Sequence, residues 1–262
     1  MAAARSVIAG AERAAGMFTI VPVRRRATEL KPGDGVAALL WLPAVGAVLG
    51  AVAAVPLGAI RQWAPHAALL GAVLTVAALA VATRCLHLDG LADTADGLGS
   101  RAPAERALQI MKKSDIGPFG VVTLVLVLLA DVASLTVIQG GPWTPVPVLA
   151  TAAATGRVAA VQAAMRGVPA ARSSGFGILV ADGVPVAAAA AWTVAILGLG
   201  SGLAAVGDVT FGWMVISQVV AMTVGWRLRA HAVRRLGGVT GDVFGGLIEV
   251  VTAVVLAGVA LW

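Results

Sequence analysis

Asp89, Asp93 and Asp96 lie close together in a chain that contains few other acids. They belong to the segment His87-Leu-Asp-Gly-Leu-Ala-Asp-Thr-Ala-Asp-Gly97, and the whole protein has 13 acidic residues among 262. Offsets of four and seven residues place the three carboxylates on one face if the segment is helical. Carboxylates ~6 Å apart repel one another by roughly 2 to 3 kcal/mol per pair at an effective dielectric constant near 20. The cluster therefore predicts that a cation or a positively charged ligand binds there.

The ligand chemistry of this segment favours Mg²⁺, with Mn²⁺ as the alternative ion. Carboxylate oxygens suit these cations, whereas the single cysteine and the three histidines argue against zinc. Mg²⁺ is usually held by a few carboxylates together with substrate phosphates, so the implied substrate is a phosphate or a diphosphate. The alternative interpretation is a solvated acidic turn where the chain leaves the membrane. His87 is a candidate catalytic residue or, equally, a supporting residue behind the metal ligands.

A second candidate segment is the glycine-rich stretch from Gly237 to Gly246. A turn of this kind that enters a helix can present backbone N–H groups to a phosphate, which makes Gly241 a candidate for substrate binding. Asp242 then either adds a metal ligand or caps the helix. Glu249 follows inside an apolar stretch, where an acid is functional by default. Its alternative role is a salt bridge with an arginine of another span.

Two arginines are candidates for phosphate recognition. Arg157 lies in an apolar stretch, and Arg172 begins the segment Arg-Ser-Ser-Gly-Phe-Gly177. A guanidinium group binds phosphate through two parallel hydrogen bonds and can stabilise charge on a phosphoryl group during transfer. The alternatives are a buried ion pair between Arg157 and Glu249 and a charge at Arg172 that only sets the membrane topology.

The composition is that of an all-α, polytopic integral membrane protein. Apolar residues make up 59% of the chain and charged residues 12%, about half the usual charged fraction of soluble domains. The N-terminal segment Met1–Val23 lacks an uninterrupted apolar core, so it is predicted to form an interfacial amphipathic helix. About seven stretches are long enough to span a bilayer. They are Val36–Ile60, His66–Cys85, Pro118–Ile138, Pro147–Met165, Pro185–Val206, Val209–Trp226 and Val243–Trp262.

The basic residues predict the orientation of these spans. Nearly all of them fall in alternate loops, and the opposite side holds only Arg61. They include Arg24, Arg25, Arg26, Lys31, Arg101, Arg106, Lys112, Lys113, Arg166, Arg172, Arg227, Arg229, Arg234 and Arg235. The positive-inside rule places these loops and the N-terminus in the cytoplasm. The net charge of +6 is therefore attributed to topology and to anionic lipids, and no nucleic-acid partner is expected.

The chain is predicted to form a single membrane-embedded catalytic domain over residues 1–262. We find no convincing internal repeat and no linker that would divide it. Residues 86–117 are too polar to span, and they are expected to form a cytoplasmic Asp-rich loop that contains the active site.

The segment from His87 to Gly97 closely resembles the signature of the cobalamin synthase family, the adenosylcobinamide-GDP ribazoletransferases. Five further segments resemble family motifs in the same order, so the similarity covers nearly the whole chain. They are Phe18–Val23, Trp41–Gly46, Ile110–Gly117, Arg172–Gly177 and Gly237–Glu249. One motif departs from the family pattern, because many members have Lys-Asp-Ser-Arg-Ile-Gly where this chain has Lys112-Lys-Ser-Asp-Ile-Gly117. Ser114 and Gly117 still match and are candidates for substrate binding.

The resemblance implies a magnesium-dependent enzyme of the bacterial or archaeal cytoplasmic (inner) membrane. Its substrates would be a corrinoid nucleotide, adenosylcobinamide-GDP, and α-ribazole or its 5′-phosphate. The products would be adenosylcobalamin, or its phosphate, and GMP. The expected partners are these substrates, the lipid bilayer, and either further copies of the chain or other enzymes of cobamide assembly.

The resemblance also implies roles for the candidate residues. Asp89, Asp93 and Asp96 would hold the metal, with Asp242 or Glu249 completing its ligands. One of these carboxylates, or His87, would accept the proton of the attacking hydroxyl group. Arg157 and Arg172 would bind phosphate.

Two other functions fit parts of the sequence. A CDP-alcohol phosphotransferase would also place Asp- and Gly-rich helices at the membrane face, but its signature needs Ala-Arg where this chain has Thr94-Ala95. A secondary transporter could use Asp131, Arg157 and Glu249 as a coupled set of charges inside the membrane. Against a transporter, the richest polar segment lies outside the predicted spans.

Overall fold

The computed structural model describes residues 2–23 and 33–262, with side chains from residue 9 onward. The described residues form helices and no strand, which confirms the predicted all-α class. The helices are α1 (Ala2–Phe18), α2 (Asp34–Ala53), α3 (Val55–Trp63), α4 (Ala68–Ala82), α5 (Leu86–Gly99), α6 (Ala104–Ile110), α7 (Pro118–Val137), α8 (Pro145–Ala163), α9 (Phe176–Val180), α10 (Val186–Ala195), α11 (Ser201–Val206), α12 (Phe211–Leu236) and α13 (Gly241–Ala260).

Six helical segments in the described residues are long and apolar enough to cross a membrane, where the sequence predicted about seven. They are Asp34–Trp63, Pro65–Ala82, Pro118–Val137, Pro145–Ala163, Val186–Val206 and Gly241–Ala260. The predicted span Val209–Trp226 corresponds, from Phe211 onward, to the first part of α12, which is helical but not among the six. α12 is more polar because it contains the buried Gln218, and its C-terminal part contains Arg227, Arg229, Arg234 and Arg235.

Loops that were predicted to lie on one side of the membrane meet at one end of the helix bundle. The Arg61 guanidinium donates a hydrogen bond to the carbonyl oxygen of Gly140 (2.9 Å), and the Gly141 N–H donates to the Asp208 carboxylate (3.0 Å). α7 reaches this end from the other end of the bundle, and its 20 residues span about 30 Å. The sparsely charged loops therefore share one end.

The other end, called here the basic end, contains the candidate site. The Arg84 guanidinium donates to the carbonyl oxygen of Met17 (2.8 Å), and the Arg235 guanidinium donates to that of Ala102 (3.1 Å). These contacts join the end of α1, the turn before α5, the turn after it and the end of α12. Arg24, Arg25, Arg26 and Lys31, which were also predicted on this side, lie outside the described residues.

Glycines allow α8 to pack closely between α2 and α13. A Cβ atom on Gly46 or Gly50 of α2 would overlap α8, and one on Gly156 of α8 would overlap the carbonyl oxygen of Ile248 in α13. Close approach through small residues is the usual packing of membrane helices, because lipid provides no hydrophobic drive for association. α8 is consequently buried along almost its whole length.

The predicted Asp-rich loop is instead mainly helical. Arg84 and Cys85 both have φ = 55°, a left-handed conformation that breaks the helix after α4 and redirects the chain into α5. α5 and α6 then account for most of the segment 86–117. The polarity of the segment suggested a loop outside the spans, but His87, Leu91 and Ala92 are buried against neighbouring helices, and this packing stabilises α5.

The N-terminal segment is helical, as predicted, and it packs on the bundle. Ala14 and Phe18 of α1 are buried, and the Arg13 guanidinium lies 3.2 Å from the Asp34 carboxylate at the start of α2. α1 therefore covers part of the basic end and contributes Phe18 to the wall of the candidate site.

Candidate active site

The candidate site lies where α5 and α13 touch through glycine. A Cβ atom on Gly90 would lie 2.7 Å from the carbonyl oxygen of Asp242, and one on Gly245 would lie 3.0 Å from that of His87. The first distance is too short for a side chain and the second is tighter than nearly all Cβ contacts, so glycine lets the two backbones approach closely. This contact brings Asp89 and Asp93 of α5 beside Asp242 in the first turn of α13.

Asp242 is held in place by two neighbours. The Arg172 guanidinium donates to its carboxylate at 3.0 Å, and the Thr240 hydroxyl donates to the same oxygen at 3.2 Å. Thr240 also caps α13, because its hydroxyl oxygen accepts the Val243 N–H at 3.2 Å. Arg172 donates a further hydrogen bond to the carbonyl oxygen of Leu108 (2.9 Å). Arg172 and Asp242 thus form a charge-assisted pair in a fixed position.

The loop that carries Arg172 is attached to the turn before α13. The Ala171 N–H donates to the carbonyl oxygen of Val239, and the Val239 N–H donates to that of Pro169, both at 2.9 Å. These two bonds join segments about 70 residues apart in sequence, and they place Arg172 next to the N-terminus of α13.

The electrostatics of the cluster favour a cation. Burial, followed by the negative charges of Asp242 and Asp89, raises the pKa of Asp93 to about 7, although the positive charge of Arg172 opposes this shift. The single arginine therefore does not compensate the three carboxylates. A bound cation would relieve the repulsion between them.

A cavity of about 330 Å³ opens beside this cluster. Its polar side is formed by Asp89, Arg172, Ser174, Thr240, Gly241 and Asp242. Its apolar side is formed mainly by Phe18, Leu39, Leu42, Phe176, Phe244 and Ile248, and His87 also lines it. Gly241 is the first residue of α13, so the positive end of the helix dipole lies at the polar side, where an anion is favoured.

Asp96 lies away from this cavity and binds the N-terminus of α7. Its two carboxylate oxygens accept the N–H groups of Gly117 (2.7 Å) and Gly120 (2.9 Å). A Cβ atom on Gly120 would lie 2.5 Å from this carboxylate, and one on Gly117 would overlap it, so both glycines make room for the contact. This geometry favours a capping role for Asp96, and Gly117 uses its N–H for Asp96. Ser114 lies in the preceding turn, is exposed and does not line the cavity.

A second group of polar residues lies deeper among the helices. His87 is 3% exposed, and neither of its ring nitrogens has a hydrogen-bond partner among the described residues. Its Nδ1 atom lies 3.7 Å from a carboxylate oxygen of Glu249. Burial, and then the charge of Arg157, lowers the pKa of His87 well below its usual value. His87 thus lies beside both the cavity and Glu249.

Arg157 and Glu249 are in the bundle interior and not at the cavity. The Arg157 guanidinium donates to the carbonyl oxygen of Ala153, one turn earlier in α8, at 2.9 Å. No carboxylate lies within 4 Å of it among the described residues, so the alternative of a direct salt bridge with Glu249 is not observed. Glu249 instead lines a separate cavity of about 20 Å³ together with Asp131.

The residues at the cavity fit a magnesium ion in charge and ligand type. Within residues 9–23 and 33–262, no three His, Cys, Asp or Glu side chains are gathered in a way that could enclose a metal. A magnesium site does not need such a cage, because one or two carboxylates together with substrate phosphates are the usual arrangement. Asp89 and Asp242 both line the cavity, and a cation would reduce the repulsion between these carboxylates and Asp93.

Sequence reasoning missed the aromatic wall and the role of Thr240. Phe176 contacts both Phe18 (ring centroids 5.3 Å apart) and Phe244 (6.0 Å), each in a T-shaped arrangement. Phe18 and Phe176 lie in the segments 18–23 and 172–177, and Phe244 lies in the glycine-rich stretch 237–246. The three phenylalanines therefore lay in segments that the sequence had already singled out. Their contact with one another depends on the tertiary fold and could not be predicted.

The fold and the site define a polytopic helical membrane protein with a cavity at one end of its bundle that is lined by acidic residues, an arginine and a helix N-terminus. A sequence profile of the cobalamin-5-phosphate synthase family matches residues 11–260. The chain belongs to this family.

Three relatives illustrate the similarity, and each is named adenosylcobinamide-GDP ribazoletransferase. The protein from Frankia casuarinae is 41% identical over 74% of this chain and 72% of its own length. The one from Pseudomonas entomophila is 38% identical over 88% and 90%, and the one from Bradyrhizobium diazoefficiens is 35% identical over 96% and 93%. No solved structure matches the chain.

Proposed function

We propose that this chain is a transferase that joins adenosylcobinamide-GDP to α-ribazole, or to its 5′-phosphate, and releases GMP. A ribose hydroxyl of the ribazole attacks the phosphorus linked to cobinamide. The new P–O bond forms as the bond to the bridging diphosphate oxygen breaks, and GMP leaves with that oxygen. The product is adenosylcobalamin or its 5′-phosphate. Family membership and the relatives named for this reaction support the assignment.

The observation that carries the proposal is the cavity formed by Asp89, Asp242 and Arg172 at the N-terminus of α13. A diphosphate requires positive charge and N–H donors around its oxygens. Arg172 supplies a fixed guanidinium group, and the first turn of α13, which begins at Gly241, supplies a helix N-terminus. Both groups can position the diphosphate and stabilise charge as the leaving group departs.

Mg²⁺, or Mn²⁺ as the alternative, would be held by Asp89 and Asp242, with Asp93 beside them. When bound, the ion would neutralise charge on the diphosphate and so favour departure of GMP. The proton of the attacking hydroxyl passes to a carboxylate of this cluster. Asp96 is omitted from the proposed metal site because both of its oxygens bind backbone N–H groups of α7.

Arg157 and Glu249 receive supporting roles in this proposal. Both lie in the interior of the bundle behind His87, and neither lines the 330 Å³ cavity. Their charges can stabilise the region around His87, but they are too deep to contact a diphosphate at the polar side. The family assignment also favours the transferase over a CDP-alcohol phosphotransferase and over a secondary transporter.

The chain is a multi-pass membrane protein, and we place the basic end of the bundle on the cytoplasmic side of the inner membrane. The described basic residues near the site support this orientation through the positive-inside rule. Both nucleotide substrates are water-soluble and would enter the cavity from that side. Association with further copies of the chain or with other enzymes of cobamide assembly stays a prediction.

The test is turnover by protein purified in detergent. Adenosylcobinamide-GDP, α-ribazole 5′-phosphate and Mg²⁺ are expected to give GMP and a cobalamin phosphate, and a chelator is expected to stop the reaction. Asp89→Asn and Asp242→Asn should each lower kcat at least 100-fold. The matched control is Asp208→Asn at the opposite end of the bundle, which should keep nearly full activity. Full magnesium-dependent turnover by the Asp89 and Asp242 variants would show that the site is elsewhere.

A further inference from the structure

The apolar half of the 330 Å³ cavity has no role in the chemistry proposed so far. Phosphoryl transfer uses Asp89, Asp242 and Arg172 on the polar side. The rest of the lining includes three phenylalanines and aliphatic side chains from α2 and α13. An apolar surface that adjoins a phosphate site is suited to the uncharged part of a substrate, because burying that part displaces water from both surfaces.

The aromatic wall is shaped for a flat ring system. Phe176 packs edge-to-face against both Phe18 and Phe244, and Phe18 lies 6.4 Å from the His87 ring in a tilted arrangement. Four rings from α1, α5, α9 and α13 therefore surround one space. Aromatic side chains are common platforms for nucleobases, and their contribution depends little on the base's hydrogen-bonding groups.

His87 adds a specific polar group to this wall. It is almost completely buried, lines the cavity and has no hydrogen-bond partner at either ring nitrogen among the described residues. A buried polar group without a partner costs free energy, so a ligand that satisfies it gains affinity. Glu249 lies 3.7 Å from Nδ1, which is beyond hydrogen-bond distance, so the single N–H of the neutral imidazole is free to sit on Nε2 and to be donated to a ligand.

The size and chemistry of the cavity discriminate between the parts of the two proposed substrates. A corrin ring is far larger than 330 Å³. Guanine fits by size, but it presents a row of donors and acceptors that the Phe18, Phe176 and Phe244 surface cannot satisfy. The benzimidazole of ribazole is flat and apolar, and it has one free ring nitrogen that accepts a hydrogen bond.

We infer that the apolar half of the cavity binds the benzimidazole of ribazole against the surface formed by Phe18, Phe176 and Phe244, with His87 donating a hydrogen bond to its free ring nitrogen. This inference rests on the proposed function and assigns one of its two substrates to a position. The attached ribose then points towards Asp89 and Arg172, where its hydroxyl group meets the diphosphate. The corrinoid remains outside the cavity.

The first test measures how replacing the cavity phenylalanines changes the KM for each of the two substrates. Phe176→Leu and Phe244→Leu should each raise the KM for α-ribazole 5′-phosphate roughly tenfold, the size expected for loss of one aromatic–base contact. The KM for adenosylcobinamide-GDP should change less than twofold. The matched control is Phe119→Leu, since Phe119 is 52% exposed on α7 and does not line the cavity. A rise only in the KM for adenosylcobinamide-GDP would overturn the assignment, as would equal rises for both substrates.

The second test examines the proposed hydrogen bond from His87 by changing the substrate, which leaves the fold of the protein unaltered. An indole riboside phosphate has the same shape as the benzimidazole compound but carries C–H in place of the free nitrogen. The wild-type protein should prefer benzimidazole at least tenfold in kcat/KM. His87→Leu should lose most of this preference, whereas a purely structural role of His87 would leave it unchanged. Absence of the preference in the wild-type protein would refute the hydrogen bond.

The outcomes of these tests are distinct from failure of the proposed function. If the chain is not the proposed transferase, the wild-type protein will form neither GMP nor a cobalamin phosphate. If only the base position is wrong, the wild-type protein will turn over normally and the Phe176 and Phe244 variants will show the wrong pattern of KM values. Thermal unfolding of each variant in detergent identifies any that fail to fold, and Phe176→Tyr and Phe244→Tyr then provide milder replacements.

Discussion

Replacing Gly90 by alanine tests whether the contact between α5 and α13 creates the active site. The new methyl group would lie 2.7 Å from the carbonyl oxygen of Asp242 and 3.2 Å from the Cα atom of Gly245. Carbon and oxygen atoms in contact are normally at least ~3.4 Å apart, so the helices must separate by roughly 0.7 Å. The backbone of Asp242 cannot rotate away as a side chain could, and its carboxylate must therefore move relative to Asp89.

The expected effect on activity is larger than the effect on stability. Overpacking costs about 1 to 3 kcal/mol, and the alanine recovers up to about 1 kcal/mol through its higher helix propensity. A displacement near 1 Å in a catalytic site can cost about 100-fold in rate. We therefore expect Gly90→Ala to fold with a modest loss of thermal stability and to lose between tenfold and 100-fold in kcat, measured as GMP release.

Gly246→Ala is the matched control for this experiment. It adds the same methyl group at the same helix contact, but its Cβ atom would lie 3.4 Å from the Thr94 hydroxyl, which is an ordinary contact distance. This variant should keep its activity within about twofold. Full activity in Gly90→Ala, or equal losses in both variants, would refute the claim that glycine contact at this position sets the geometry of the site.

Three further predictions concern neighbouring residues and the metal. Asp96→Asn should lower thermal stability by about 1 to 2 kcal/mol, because it weakens the charge-assisted cap of α7, and should lower kcat much less than Asp89→Asn does. Arg172→Lys should lower kcat/KM at least tenfold in the GMP-release assay, because the single ammonium nitrogen cannot occupy both positions from which the two guanidinium nitrogens contact Asp242 and the Leu108 carbonyl oxygen. Removing Mg²⁺ with a chelator should abolish turnover but leave the helical circular dichroism signal unchanged, since the described helices pack through buried apolar residues and glycine contacts; loss of helicity on chelation would contradict this.

The membrane helices were predictable from sequence because hydropathy is a local property. The basic residues also grouped the loops correctly into two sets, as the contacts of Arg61 with Gly140 and of Asp208 with Gly141 show for one end. α12 was harder, since its apolar residues are interrupted by Gln218, which is satisfied by Ser201 and Thr155 only after folding. Polar residues in a membrane helix are interpretable only once their partners are known.

The candidate site was predictable in content but not in arrangement. The spacing of Asp89, Asp93 and Asp96 suggested one shared face, and periodicity alone could not reveal that Asp96 binds the first turn of α7. The pairing of Arg172 with Asp242 joins residues 70 positions apart, which depends on the contact of the loop at Ala171 with the turn at Val239. Long-range contacts of this kind follow from tertiary packing and leave no periodic signal.

The most direct test of the account is the Mg²⁺ concentration that gives half-maximal turnover. If Asp89 and Asp242 hold the metal, Asp89→Asn and Asp242→Asn should each raise this concentration at least tenfold, and Asp96→Asn should leave it within about twofold of the wild-type value. The opposite pattern, with a large shift for Asp96→Asn and none for Asp89→Asn or Asp242→Asn, would contradict the proposed site.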